Sequence, residues 1–227
     1  EDGSRRTSSG ADIRRGESGS SMPPVRDLVD IGCAATADPV DGAPRARGIR
    51  VDGLERVRSE AQCALVEQLS GLLTTTDRPA ISLPGGKVVY RKDDSLLIDV
   101  RAPSRASFVH VAYLQADGSV VHLQQSSPRA LLRLGSSELR RFGTGLAGSP
   151  RFTVQAPFGD ELILAIASEA PLFDRPRPTV EKMEDFAKAL GSVVRRGGFS
   201  GSADFVALAT VDAGDGEKNA AGSPPAT

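Results

Sequence analysis

The sequence predicts an α+β fold: a mainly antiparallel, β-sandwich-like domain with one amphipathic helix packed on it near the C-terminus, preceded by a small α/β segment. Three observations carry that expectation. Phe108 to Gln125, FVHVAYLQADGSVVHLQQ, holds two apolar-rich runs closed by Asp117-Gly118, a dipeptide that accepts the positive φ angles of a tight hairpin turn. Leu162 to Ala167, LILAIA, is an unbroken apolar run of strand length, as a strand covered on both faces requires. Short strand patterns separated by turn signals recur on either side of these two.

The totals set bounds. A chain of 227 residues has room for one large domain or two small ones, and 24 glycines with 15 prolines commit much of it to loops and turns. The 28 basic and 29 acidic residues leave a formal net charge of −1, which makes no electrostatic case for nucleic acid or an anionic membrane as partner. No run approaches the about 18 apolar residues of a membrane span, and no signal-peptide pattern opens the chain. Because residue 1 is Glu, the sequence reads as a piece of a longer polypeptide.

Residues 1–22 are dense in Ser, Gly and charge and read as a disordered linker, because they cannot bury enough apolar surface to offset their ordering entropy. Residues 23–73 read as the small α/β segment. Val25, Leu28 and Val29 suggest a short helix, Ile31 to Thr36 and Ile49 to Val51 short strands, and Leu54, Val57, Ala61, Leu65 and Leu72 one face of a longer helix. This segment holds both cysteines. Cys33 and Cys63 fit no zinc or CxxC spacing, and Cys63 lies opposite the apolar stripe. They are a disulfide candidate, closing a loop that would stabilise by about 3–4 kcal/mol in the chain-entropy model, or else two unpaired thiols. Residues 74–85 read as a polar connection.

Residues 86–212 form the β-rich domain. Val88 to Tyr90, Leu96 to Ala102, the hairpin, Ala130 to Leu134, the alternating Phe152, Val154 and Ala156, then LILAIA supply the strands. The helix comes next, with Thr179 as its cap and Glu181 in its first turn. Met183, Phe186, Leu190, Val193 and Val194 make its apolar stripe, and Gly197-Gly198 stop it. Asp204 to Val211 is the last strand, and residues 213–227 read as a disordered tail.

Motifs that would carry chemistry fail on context. GTGLAG, with Gly143, Gly145 and Gly148, has the letters of a dinucleotide fingerprint, but Pro150 and a strand at Phe152 leave no helix to hold a pyrophosphate. Gly85 to Val88 lacks the glycine and the Ser/Thr of a phosphate loop. A two-residue turn at Asp117-Gly118 sets His122 opposite Tyr113 and His110 opposite Gln125, so the two histidines fall on opposite faces and cannot share a metal. One more loop residue would reverse that parity. No nucleophile elbow is present. The expectation is therefore no catalytic residues, no metal and no cofactor.

A set of short matches spans residues 86–211. It consists of Val89-Tyr90-Arg91, Leu96 to Asp99, Val109 to Leu123, Leu134-Gly135, Ala156-Pro157-Phe158-Gly159 with Glu161-Leu162, Ala167-Ser168 and Pro171-Leu172-Phe173. Together these resemble a bacterial domain of unknown function, the family numbered 4384. The departure is Gln124-Gln125-Ser126, where such domains continue into Pro and Asn. The resemblance implies a β-sandwich-like accessory module at the C-terminal end of a multidomain bacterial protein, some with a protein-kinase or caspase-like domain upstream, and it carries over no functional residues.

The resulting expectation is a non-catalytic sensor or interaction module that takes a protein or cell-envelope component more readily than a small molecule. Its contact surface is expected in loops 135–151 and 157–160, at Gly143, Gly145, Gly148, Phe158, Gly159 and Asp160. The alternatives are a hydrolytic enzyme using His122 with a nearby Ser or acid, and a structural piece of the cell envelope. A Cys33–Cys63 bond would favour the periplasm, and reduced thiols would leave the cytoplasm open.

Overall fold

A computed structural model of the chain describes residues 59–123, 131–146, 149–196 and 199–212 in full. It describes four short strands before them as backbone: β1 (Ala35–Ala37) pairs with β2 (Pro44–Ala46), and β3 (Ile49–Val51) with β4 (Leu54–Arg56). The fold is α+β, built from mostly antiparallel sheets with few helices.

The central element is β12 (Asp160–Ser168), the strand that holds LILAIA, and every residue of it is buried. β8 (Ser107–Leu114) flanks it on one side and β14 (Gly201–Val211) on the other, both antiparallel. β9 (Ser119–His122) and β10 (Arg133–Leu134) share the outer edge of β8, and β13 (Val180–Lys182) lies outside β9. β6 (Val89–Arg91) closes the far side of β14 and is parallel to it, the one parallel pairing among the described strands. A second sheet has the order β11 (Leu139–Phe142), β7 (Ile98–Arg101), β5 (Ala80–Ser82).

Side-chain parity along β12 separates two cores. Ile163, Ala165 and Ala167 face the second sheet, meeting Ile98, Val100, Ile81, Val206 and Leu208. Leu162, Leu164 and Ile166 face the helices, meeting Leu65, Leu69, Phe186 and Leu190. The domain thus has three layers: small sheet, large sheet, helices.

Three helices form the third layer, one from the β-rich domain and two from the segment before it. α1 (Glu60–Gln68) opens with a capping box, in which Ser59 accepts from the Gln62 amide and the Gln62 side chain accepts from the Ser59 amide. Gln62 is fully buried and donates through Nε2 to the carbonyls of Leu114 and Asp160, which anchors α1 across the ends of β8 and β12. Its buried face is Gln62, Leu65, Val66 and Leu69, and Ala61 is exposed. The expected stripe ran in from Leu54, but Leu54 lies in β4, and the Ser-x-x-Gln cap sets a later start. A short helix, α2 (Ser70–Leu73), follows, and α1 and α2 pack into the same core as α3. The expected connection 74–85 likewise contains β5, whose Ile81 is buried.

α3 (Met183–Val194) buries Met183, Phe186 and Leu190 as expected. Its start is corrected. Thr179 does not cap it and Glu181 does not lie in its first turn, because Val180–Lys182 pair with β9 and Lys182 is the N-cap, without a side-chain bond. The His122 amide donates to the Thr179 carbonyl and the Met183 amide to the Gly118 carbonyl, so the open edge of β9 takes the segment that propensity alone would give to the helix. Glu184 and Asp185 supply the first-turn acids instead. Phe152, Val154 and Ala156 do not lie in a named strand. Their segment is extended and held by two isolated bridges, Ser95 to Thr153 and Thr144 to Arg151.

Candidate functional site

The hairpin organises the site. Its register pairs Ala112 with His122 and Leu114 with Val120, and the Gln115 amide donates to the Ser119 carbonyl. The loop is therefore Ala116-Asp117-Gly118, one residue longer than a two-residue turn, with Gly118 at φ +83° as the left-handed residue such loops need. Parity changes accordingly. His110 and His122 lie on the same face, against the expectation of opposite ones.

On that helix-side face the two rings meet, with His110 Nε2 and His122 Nδ1 3.0 Å apart. His122 Nε2 lies 2.7 Å from Glu181 Oε1. A carboxylate can only accept, so Nε2 of His122 carries a proton, its Nδ1 accepts, and His110 donates from Nε2. Arg177 grips the same carboxylate through Nε at 2.9 Å and through a terminal nitrogen. Phe186 packs on both imidazoles, and Phe173 on that of His110. The His122 side chain is 2% exposed and that of Glu181 6%.

Burial, then repulsion from His122 and Arg177, pushes His110 down to about 3. Burial also lowers His122, outweighing the Glu181 hydrogen bond that would raise it. Burial pushes Glu181 up, but hydrogen bonds from Arg177 and His122 prevail and hold it below the ordinary carboxyl range. The result is a closed polar chain in which both nitrogens of His122 are engaged. Among the described residues no group of three or more His, Cys, Asp or Glu has the geometry to hold a metal ion.

The opposite face is different. There a cavity of about 730 Å³ opens between β9 and the extended segment 150–156, on the flank where the small sheet does not reach. Val121, Leu123, Leu96 and Phe152 give it an apolar lining, with Tyr113, Gln115, Thr153, Gln155 and Thr179 as polar groups. Among the described residues, Arg151 is the one of fixed charge on its wall. His122 also borders it, but its ring nitrogens are bound on the helix side.

At the cavity's inner end the Tyr113 hydroxyl donates to Glu161 Oε2. Glu161 is 1% exposed. Its burial raises it to about 7, although hydrogen bonds from Tyr113, Thr210 and the backbone at Ala116 pull the other way. Burial and the neighbouring Glu161 charge raise the Tyr113 phenol. Glu161 is thus a buried carboxyl with a raised pKa, behind a tyrosine that lines the cavity.

Among the described residues, none of those singled out for a contact surface lines this cavity. Phe158 packs against the core between the sheets, Asp160 is buried, and the Gly159 amide donates to Thr210 Oγ1 at 3.0 Å. Gly143 has φ +83°, and a Cβ there would lie 2.2 Å from the Leu96 carbonyl oxygen, so it sets a backbone crossing. Gly145 lies against the Arg151 side chain. Gly148 and Cys33 fall outside the described residues. Cys63 is disulfide-bonded.

Sequence reasoning missed Glu161 and the Tyr113 pairing. A signal existed: Glu161 is in phase with Ile163 and Ala165, an acid on the core-facing parity of the most apolar strand. Compared with known proteins, the chain matches no family model and no curated protein. Among the described residues no helix is long and apolar enough to cross a membrane.

Proposed function

We propose that this chain is a non-catalytic binding module, an accessory domain of a larger bacterial protein, that holds its ligand in the cavity between β9 and residues 150–156. One observation carries the reading: a cavity of about 730 Å³ with apolar lining and a few converging polar groups lies within the size range of ligand sites. The alternative that His122 serves a hydrolase loses support from its hydrogen bonds, since a general base needs a nitrogen open to substrate and both of its nitrogens are bound. The disulfide at Cys63 favours an oxidising compartment.

The test uses 1-anilinonaphthalene-8-sulfonate, an apolar dye whose anion complements Arg151. The expected result is one saturable site per chain, lost in Val121→Trp, which narrows the cavity, and in Thr153→Trp on its exposed wall, while both variants keep a cooperative thermal transition. Dye binding that persists in both variants, or that has no defined stoichiometry, refutes the reading.

A further inference from the structure

We propose that the natural occupant of this cavity is an extended acidic peptide that adds as a strand to the outer edge of residues 153–155; this rests on the cavity being the binding site. The main chain of the wall is half used. Thr153 faces Ser95 in an antiparallel bridge whose bonds come from the neighbours: the Leu96 amide donates to the Phe152 carbonyl at 3.0 Å and the Val154 amide to the Asp94 carbonyl at 2.9 Å. The Asp93 amide donates to the Val154 carbonyl. The Phe152 carbonyl and both backbone groups of Val154 are thus spent inward.

Backbone groups alternate in direction along an extended chain, so those of Thr153 and Gln155 point the other way. Among the described residues none meets them. Thr144 occupies that outer edge only at its start, by its bridge to Arg151. Thr153 and Gln155 are exposed and line the cavity.

A paired set of donors and acceptors repeating every second residue is what another strand completes and a compact small molecule does not. Five residues of such a peptide would run about 17 Å. Its alternate side chains would fall on Val121, Leu123 and Phe152. Charge sets the remaining preference. Arg151 is exposed and, among the described residues, in no ion pair, so an acidic side chain at that end of the peptide finds a partner.

The probe is a pool of synthetic heptapeptides that alternate apolar and polar residues and carry Glu at either end, titrated into the ¹⁵N-labelled full chain. Shifts of the Thr153 and Gln155 amides, with slowed hydrogen exchange at both, are expected. Peptides N-methylated at alternate amides should fail to bind. Arg151→Glu should weaken binding roughly three- to tenfold, the size of a partly exposed charge pair, and a pool with Lys in place of Glu should recover it. If the dye binds and the peptides do not, the cavity reading stands and the peptide is wrong. N-methylated peptides binding equally well also overturns it, and if neither dye nor peptide binds, both readings fall.

Discussion

His110 and Tyr113 stand three residues apart on β8, yet they belong to opposite kinds of environment. His110 joins His122, Glu181 and Arg177 beneath α3, where each polar group answers another and aromatic rings cover the imidazoles. Tyr113 looks into an open cavity with a buried carboxyl behind it. A satisfied buried network specifies and rigidifies structure. A concave, part-polar space beside a group poised near neutrality is where binding is expected. The two faces of one hairpin thus differ, one closed and satisfied and the other open and concave, and parity alone makes the difference.

The comparison can be strained most from the helix side. Phe186→Ala removes a ring that is 0% exposed and packs on both histidines, so urea unfolding should show a loss of about 3–5 kcal/mol. Glu181→Gln takes the charge that holds Arg177 and His122 and should cost about 2–3 kcal/mol, the range of hydrogen bonds to charged groups. On the cavity side Tyr113→Phe leaves Glu161 without one donor and should cost about 1–2 kcal/mol. Phe152→Ala, at a half-buried wall, should cost about 1 kcal/mol or less yet abolish dye binding. A loss of dye binding in Glu181→Gln with its thermal transition intact would break the division.

Acid should act on the two faces with opposite signs. His110 and His122 bind protons less readily folded than unfolded, so their contribution is complete above about 6.5. It is lost as pH falls towards the His110 value of about 3. Glu181, also lowered, adds to that loss below the ordinary carboxyl range. Glu161, raised to about 7, binds its proton more readily folded, so its contribution is present at low pH and lost as pH rises through 7. Urea midpoints against pH should therefore steepen below 6.5 in Glu161→Gln and flatten in His110→Phe. Identical profiles would show that neither group is linked to folding.

The sheet was largely legible because its signals are local. LILAIA reads as a doubly covered strand, the alternation of Leu96, Ile98 and Val100 as one core face, and Met183, Phe186 and Leu190 as a helix stripe, and all three occupy those places. What failed depends on partners far along the chain. Val180–Lys182 became a strand because β9 offered an edge, and the histidines changed face because Gln115 pairs with Ser119. The capping box at Ser59 and Gln62 could have been read and would have set the start of α1. The cavity had no linear signature, since its walls come from residues 96, 113, 121–123 and 150–156.

The most direct test is an NMR titration that follows the His110 imidazole and the Glu161 carboxyl in the same sample. An inversion is expected, with the carboxyl changing near pH 7 and the imidazole staying neutral until about pH 3. Ordinary behaviour, His110 titrating near 6.5 and Glu161 near 4.3, would mean that water reaches both alike and that the hairpin's faces do not divide as described.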